Sequence, residues 1–106
     1  MARALINVPA RARRGDVIEI KTLVSHVMET GFRHGPNGTI IPRDIITSLS
    51  CRYNGIEIFS ADLHPAMTAN PFIAFFTVAT ESGSLEFTWT GDNGFAQTET
   101  ANIAVE

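Results

Sequence analysis

Few residues of this 106-residue chain carry chemistry beyond packing: three histidines, one cysteine, and the acidic side chains that lie near the histidines. His26, Glu29, His34, Asp62 and His64 would supply imidazole and carboxylate ligands to a metal ion if the stretches 27–42 and 62–71 met at one end of the molecule. No C-x-x-C or H-x-x-x-H spacing supports a closed zinc site. Cys51 falls on what reads as the apolar face of a strand, where burial disfavours the thiolate that a nucleophile needs. The serines lie on strand faces or in turns with no G-x-S-x-G elbow to expose one, so acyl transfer lacks a nucleophile. His26, at a strand end, equally fits a hydrogen-bonded boundary residue, and His64 before Pro65 fits a loop anchor. Asn37-Gly38-Thr39 matches a glycosylation acceptor, which matters only in a eukaryotic secretory chain.

The elements that must position these residues read as strands. Segments rich in Val, Ile, Thr and Phe recur between Gly, Asn and Pro signals, and no stretch keeps a helical apolar stripe. Over residues 16–26, Ile18, Ile20, Thr22 and Val24 share one face while Glu19, Lys21 and Ser25 share the other. Residues 43–53 repeat this alternation with Ile45, Thr47, Leu49, Cys51 and Tyr53. Asn54-Gly55 reads as a two-residue hairpin turn, because both central positions need positive φ. Strands follow over 56–61, 72–79, 84–90 and 95–105, and Leu85, Phe87 and Trp89 fall on one face. About seven antiparallel strands predict an all-β, immunoglobulin-like sandwich in a single domain, residues 1–106, with Trp89 as its best core residue. Two connections are too long for hairpins: 27–42, with Gly31, Gly35, Pro36, Asn37 and Gly38, and 62–71, with Pro65 and Pro71. They hold His34 and His64, with His26 at the strand end just before the first, and are the functional-loop candidates.

Bulk properties narrow the function classes. A 44% hydrophobic, 18% charged composition belongs to a folding globular chain. The net charge of -3 opposes a nucleic-acid footprint, and the local cluster Arg11, Arg13 and Arg14 before Gly15-Asp16 reads as a solvated turn. No apolar run approaches a membrane span, so no membrane partner is expected. Residues 1–8 lack the apolar core of an export signal, which leaves a cytoplasmic chain or one exported with a partner. No cofactor and no resident metal is expected.

Binding has more support than catalysis. Ile56, Ile58, Phe59 and Ala61 are apolar on both faces of one strand, and so are residues 72–76 with Val78 in another. One face of each suffices for the core. The surplus set, read as Phe59, Ile73 and Phe75, is then an exposed patch that a partner covers or through which the isolated chain self-associates. A kinked strand, or an edge rolled into the core, is the competing account.

Extended strings also resemble one family. EIKTLVSHVMETG at 19–31, IPRDIITSLSCRYNG at 41–55, FSADLHPAMTANP at 59–71 and the closing 81–105 are similar to SoxZ, the small subunit of the SoxYZ sulfur carrier of thiosulfate oxidation. The resemblance implies an immunoglobulin-like, non-enzymatic subunit that pairs with SoxY, whose C-terminal Gly-Gly-Cys-Gly-Gly arm carries the sulfur intermediate between Sox enzymes. This chain ends in Ile103-Ala104-Val105-Glu106 and is expected to be the companion that positions that arm. It implies a periplasmic location reached by co-export on the twin-arginine signal of SoxY. Carried over by position, it favours His26, Met28, Glu29, Gly31, Arg33, Pro42 and Arg43 in the first loop, and Asp62, His64, Pro65, Asn70 and Pro71 in the second, as docking residues for the partner or the enzymes. Val27 stands where the family often has Pro, and Gly35-Pro36 alters a loop that is commonly more charged. The alternative reading is a His-ligated metal redox domain on the same fold, as in immunoglobulin-like iron proteins that reduce superoxide.

Overall fold

The computed structural model describes residues 3–106, so the start of the stretch 1–8 lies outside the described residues. Eight strands form: β1 (Ala4–Asn7), β2 (Arg11–Ala12), β3 (Val17–Val24), β4 (Ile46–Tyr53), β5 (Ile56–Asp62), β6 (Phe72–Val78), β7 (Gly83–Gly91) and β8 (Ala96–Val105). They build two sheets, a three-stranded one in the order β1-β3-β6 and a five-stranded one in the order β2-β8-β7-β4-β5. All neighbours are antiparallel except β2 and β8, which run parallel. This is the expected immunoglobulin-like sandwich. Its strand count exceeds the expected seven because the N-terminal segment splits, giving β1 to one sheet and β2 to the other. Pro9, with no N–H to donate, lies in the crossing between them.

The period-2 pattern carries through to packing. Ile18, Ile20, Thr22 and Val24 of β3 are buried against Leu49, Cys51 and Tyr53 of β4 and Leu85, Phe87 and Trp89 of β7 in one core. Thr22 is tolerated there because its hydroxyl donates to the Ile73 carbonyl at 2.8 Å. Phe59 of β5 stacks on Phe75 of β6 with centroids 4.1 Å apart and planes 1° apart, tying one sheet to the other along one side of the sandwich. Two local devices set the register. At the β4–β5 turn Asn54 and Gly55 have φ of 50° and 85°, the doubly left-handed turn whose twist matches the strands. Gly91 faces Ile45 so closely that an added Cβ would lie 2.5 Å from its carbonyl oxygen, and the β4–β7 register shifts just beyond, between Ile46 and Ser48. The arginine cluster behaves as a turn: Asp16 accepts from the Arg13 N–H at 2.9 Å, and Gly15 takes φ of 93°.

Two stability outcomes follow from these positions. An added Cβ at Gly55 meets nothing within 4 Å, so Gly55→Val chiefly reads the left-handed backbone cost of about 1–2 kcal/mol. A lower midpoint in urea with unchanged slope checks it. Trp89 is 1% exposed, and Trp89→Ala should cost about 3–5 kcal/mol in the same assay.

Candidate functional site

The end of the sandwich where β3 stops and β4 starts gathers both long loops. His26 anchors the junction. Its N–H donates to Asn70 Oδ1 at 2.9 Å and its carbonyl accepts from the Asn70 N–H at 2.8 Å, which joins the first loop to the second. Its ring is nearly enclosed, meets Phe95 edge-on at 5.1 Å, and accepts the Met28 N–H at Nδ1 at 2.9 Å. Nδ1 therefore carries the lone pair and Nε2 the proton, 3.8 Å from Asp44 Oδ1. Met28 is buried in a left-handed conformation, and its sulfur accepts the Ile46 N–H at 3.3 Å. It supports the loop from below and offers no docking surface, against the expectation for it.

Beyond Met28 the first loop folds on itself. Glu29 and Asp44 exchange two backbone hydrogen bonds, the Ile41 N–H donates to the Arg33 carbonyl, and His34 bridges Ile40. A chain of Gly35 and Gly38 hydrogen bonds closes the tip. The result is a small hairpin. Two ion pairs brace it. Arg33 Nη2 lies 2.6 Å from Glu29 Oε1, and this hydrogen bond holds the Glu29 carboxyl below its ordinary value. Arg43 grips Asp92 with Nε and Nη2 at 2.8 and 2.9 Å, while Asp92 also accepts the Ile45 N–H at 3.1 Å. The Arg43 hydrogen bond, then that backbone donor, lowers the Asp92 carboxyl. Asp92 begins the 3-10 turn Asp92–Gly94 between β7 and β8, so this pair clamps the loop to the five-stranded sheet. In sequence, Asp92-Asn93-Gly94 signals a turn and says nothing of an arginine 49 positions earlier.

The two loops thus lie at one end, as expected, but the five metal-ligand candidates do not converge. His34 stands on the exposed hairpin, and Glu29 is engaged by Arg33. His64 and Asp62 are exposed at the far side, where the His64 carbonyl accepts the Met67 N–H. Among the described residues no group of three or more His, Cys, Asp or Glu is placed to hold a metal ion. Cys51 is fully buried, and burial pushes its thiol up to about 12.

The apolar surplus is real and sits on the opposite face from the one expected. Phe75 is 7% exposed, Phe59 and Ile73 are half-buried, and all three pack on the core. The exposed rings of β6 are Phe72 and Phe76, 56% and 67% exposed. With Phe72 opposite Leu23 and Leu23 opposite Leu5, and with Val78 opposite Val17, they form an apolar outer face on the three-stranded sheet, interrupted by the Glu19–Lys21 pair at 3.8 Å. The five-stranded sheet presents Ser48, Ser50, Thr88, Thr98 and Thr100 outward instead.

A family model for the sulphur oxidation protein SoxZ matches residues 6–102. This chain belongs to the SoxZ family. No curated protein matches it. Among solved structures it is similar to a superoxide reductase (neelaredoxin) from Ignicoccus hospitalis, at 15% identity and a TM-score of 0.76, over 97% of this chain and 80% of that one. It is also similar to the sulfur carrier protein SoxY from Chlorobium limicola f. thiosulfatophilum, at 15% identity and a TM-score of 0.66, over 97% and 78% of the chains. Both likenesses are of fold. The family membership assigns the chain to sulfur oxidation, while the common sandwich joins it to proteins of different chemistry.

The clamp makes a pH-dependent contribution. Because the folded Asp92 titrates below its ordinary value, its stabilisation is complete above that value and disappears as pH falls through the lowered one. Asp92→Asn should therefore lower the melting temperature at neutral pH, and the gap from the parent should close in strongly acidic buffer.

Proposed function

We propose that this chain is the non-catalytic companion of a SoxY-type sulfur-carrier subunit, forming a heterodimer that positions the partner's cysteine arm for Sox enzymes of thiosulfate oxidation. The single observation that carries the reading is the apolar outer face of β1, β3 and β6 in a member of the SoxZ family. Water is a poor neighbour for Leu5, Phe72, Phe76 and Val78 side by side, and a partner surface is the ordinary way to cover such a set. A protonated, enclosed Cys51 does not suit sulfur-carrier chemistry in this chain, which agrees with a carrier cysteine supplied by the partner.

The loop end has the character of a docking platform for transient visitors. His26 and Asn70 lock its base, Arg43 and Asp92 fasten it to the sheet, and Phe32, 79% exposed, and Arg33 project from the hairpin. His64 and Asp62 flank it across the second loop. The arm and its enzymes would work in the periplasm, which this chain reaches by export with its partner.

Co-expression with a SoxY-type subunit tests the reading. A tag on either chain should recover both in equal amounts. Phe76→Glu places a charge on an exposed position, so it should leave the fold intact by circular dichroism and release the partner. Full recovery of the partner by Phe76→Glu rules out this face. Stoichiometric iron or zinc in the purified chain overturns the non-catalytic assignment.

A further inference from the structure

β6 leaves its backbone as well as its side chains without a neighbour. In the β3–β6 register Val24 pairs with Pro71 and Asp16 with Ala79, and the hydrogen bonds Val24 N–H to Pro71 O (3.2 Å) and Ala79 N–H to Asp16 O (2.8 Å) mark these as bonded pairs. Bonded pairs recur every second residue in an antiparallel ladder, so Ile73, Phe75 and Thr77 turn their N–H and C=O groups to β3. Phe72, Ala74, Phe76 and Val78 turn theirs to the open edge, since β6 ends its sheet. The same four residues carry the outward side chains.

The other strand ends are guarded. β1 has four residues and β2 two; β5 carries Glu57 and Asp62 and lies beside a register shift between Cys51 and Arg52. β6 has seven residues, no charge, no proline, and an unbroken register with β3. Natural sheets protect a free edge with those features, and an edge lacking all of them is built to pair.

We infer that the isolated chain self-associates by antiparallel β6–β6 pairing about a two-fold axis at Phe75, making one continuous six-stranded sheet from the two three-stranded ones. The strand's own composition selects a second copy. Complete overlap of Phe72–Val78 with itself sets Phe72 against Val78 and Ala74 against Phe76 of the other chain. Phe75 then meets Phe75 of the other chain on the inner face at the axis, the outward rings face Val78 and Ala74, and all four bonded pairs join residues whose N–H and C=O are free. Sliding the register by two residues in either direction loses a bonded pair. No ionisable group comes from either β6, so a net charge of -3 on each chain meets no local repulsion along the seam. This pairing uses the edge; the heteromeric reading above uses the face, and the two stand or fall separately.

Sedimentation and amide exchange on the isolated full chain decide it. A concentration-dependent dimer should appear, with slowed exchange at Phe72, Ala74, Phe76 and Val78 as concentration rises. Ala74→Pro removes a donor that faces away from β3, a substitution edge strands accept, and should weaken the dimer by roughly tenfold or more. Ala74→Glu keeps the change on the monomer's exposed face but sets a carboxylate on each side of the seam, the kind of charge that guards natural edges, and should weaken dimerisation likewise if Ala74→Pro unfolds. A monomer at every concentration overturns the inference, as does a dimer indifferent to both substitutions. Protection of these four amides by a SoxY-type partner alone, with no dimer, also overturns it and assigns the edge to that partner.

Discussion

A strand has two faces and two edges, and a two-layer sandwich can bury only one face of each sheet. That constraint governs this molecule. Burial alternates along β3 and β7: Ile18, Ile20, Thr22, Val24, Leu85, Phe87 and Trp89 turn inward, while Glu19, Lys21, Ser84, Glu86 and Thr88 turn outward, with Val17 and Leu23 adding apolar side chains to the outer face of β3. β6 departs from it, being apolar on both sides, and the departure is absorbed by stacking Phe75 on Phe59 inside and leaving Phe72 and Phe76 in water. Burial of one face is strong enough to set the fold, and the uncovered remainder is what gives the chain a reason to meet another surface.

The loop end follows a different physics. Its backbone joins neither sheet, so its polar groups are satisfied by backbone bonds within and between the loops and by a set of side chains that accept backbone N–H groups: Asn70 from His26, His26 from Met28, the Met28 sulfur from Ile46, and Asp92 from Ile45. Left-handed conformations at Met28, Asn70 and Asn93 let the chain turn sharply where those bonds require it. Exposed ion pairs such as Arg33–Glu29 add little stability by themselves. Their value is orientation, because they keep a 20-odd-residue excursion in one shape at one end of a rigid sandwich.

Fold likeness and chemistry separate cleanly here. The same sandwich is shared with a superoxide reductase and with a sulfur carrier protein at equal sequence identity. What distinguishes this chain is local: a thiol sealed among apolar side chains, histidines spread over two loops without convergence, and an apolar sheet exterior. These are properties of placement, which a fold does not dictate.

Alternation, turn residues and extended family strings were legible without coordinates, because each is written in neighbouring residues. Ile18 to Val24 on one face, Asn54-Gly55 as a left-handed hairpin, Cys51 and Trp89 as core, and the two long loops all follow from local chemistry. Tertiary structure alone decided which face of β6 looks inward. In Phe72-Ile73-Ala74-Phe75-Phe76 both faces are equally greasy, so period 2 carries no sign, and the assignment came out one residue off. Only the register with β3 and the ring of Phe59 broke that tie. The Arg43–Asp92 clamp, the burial of Met28 and the dispersal of His26, His34 and His64 were likewise beyond local reading, since each depends on distances between segments that the chain brings together only when both sheets have closed.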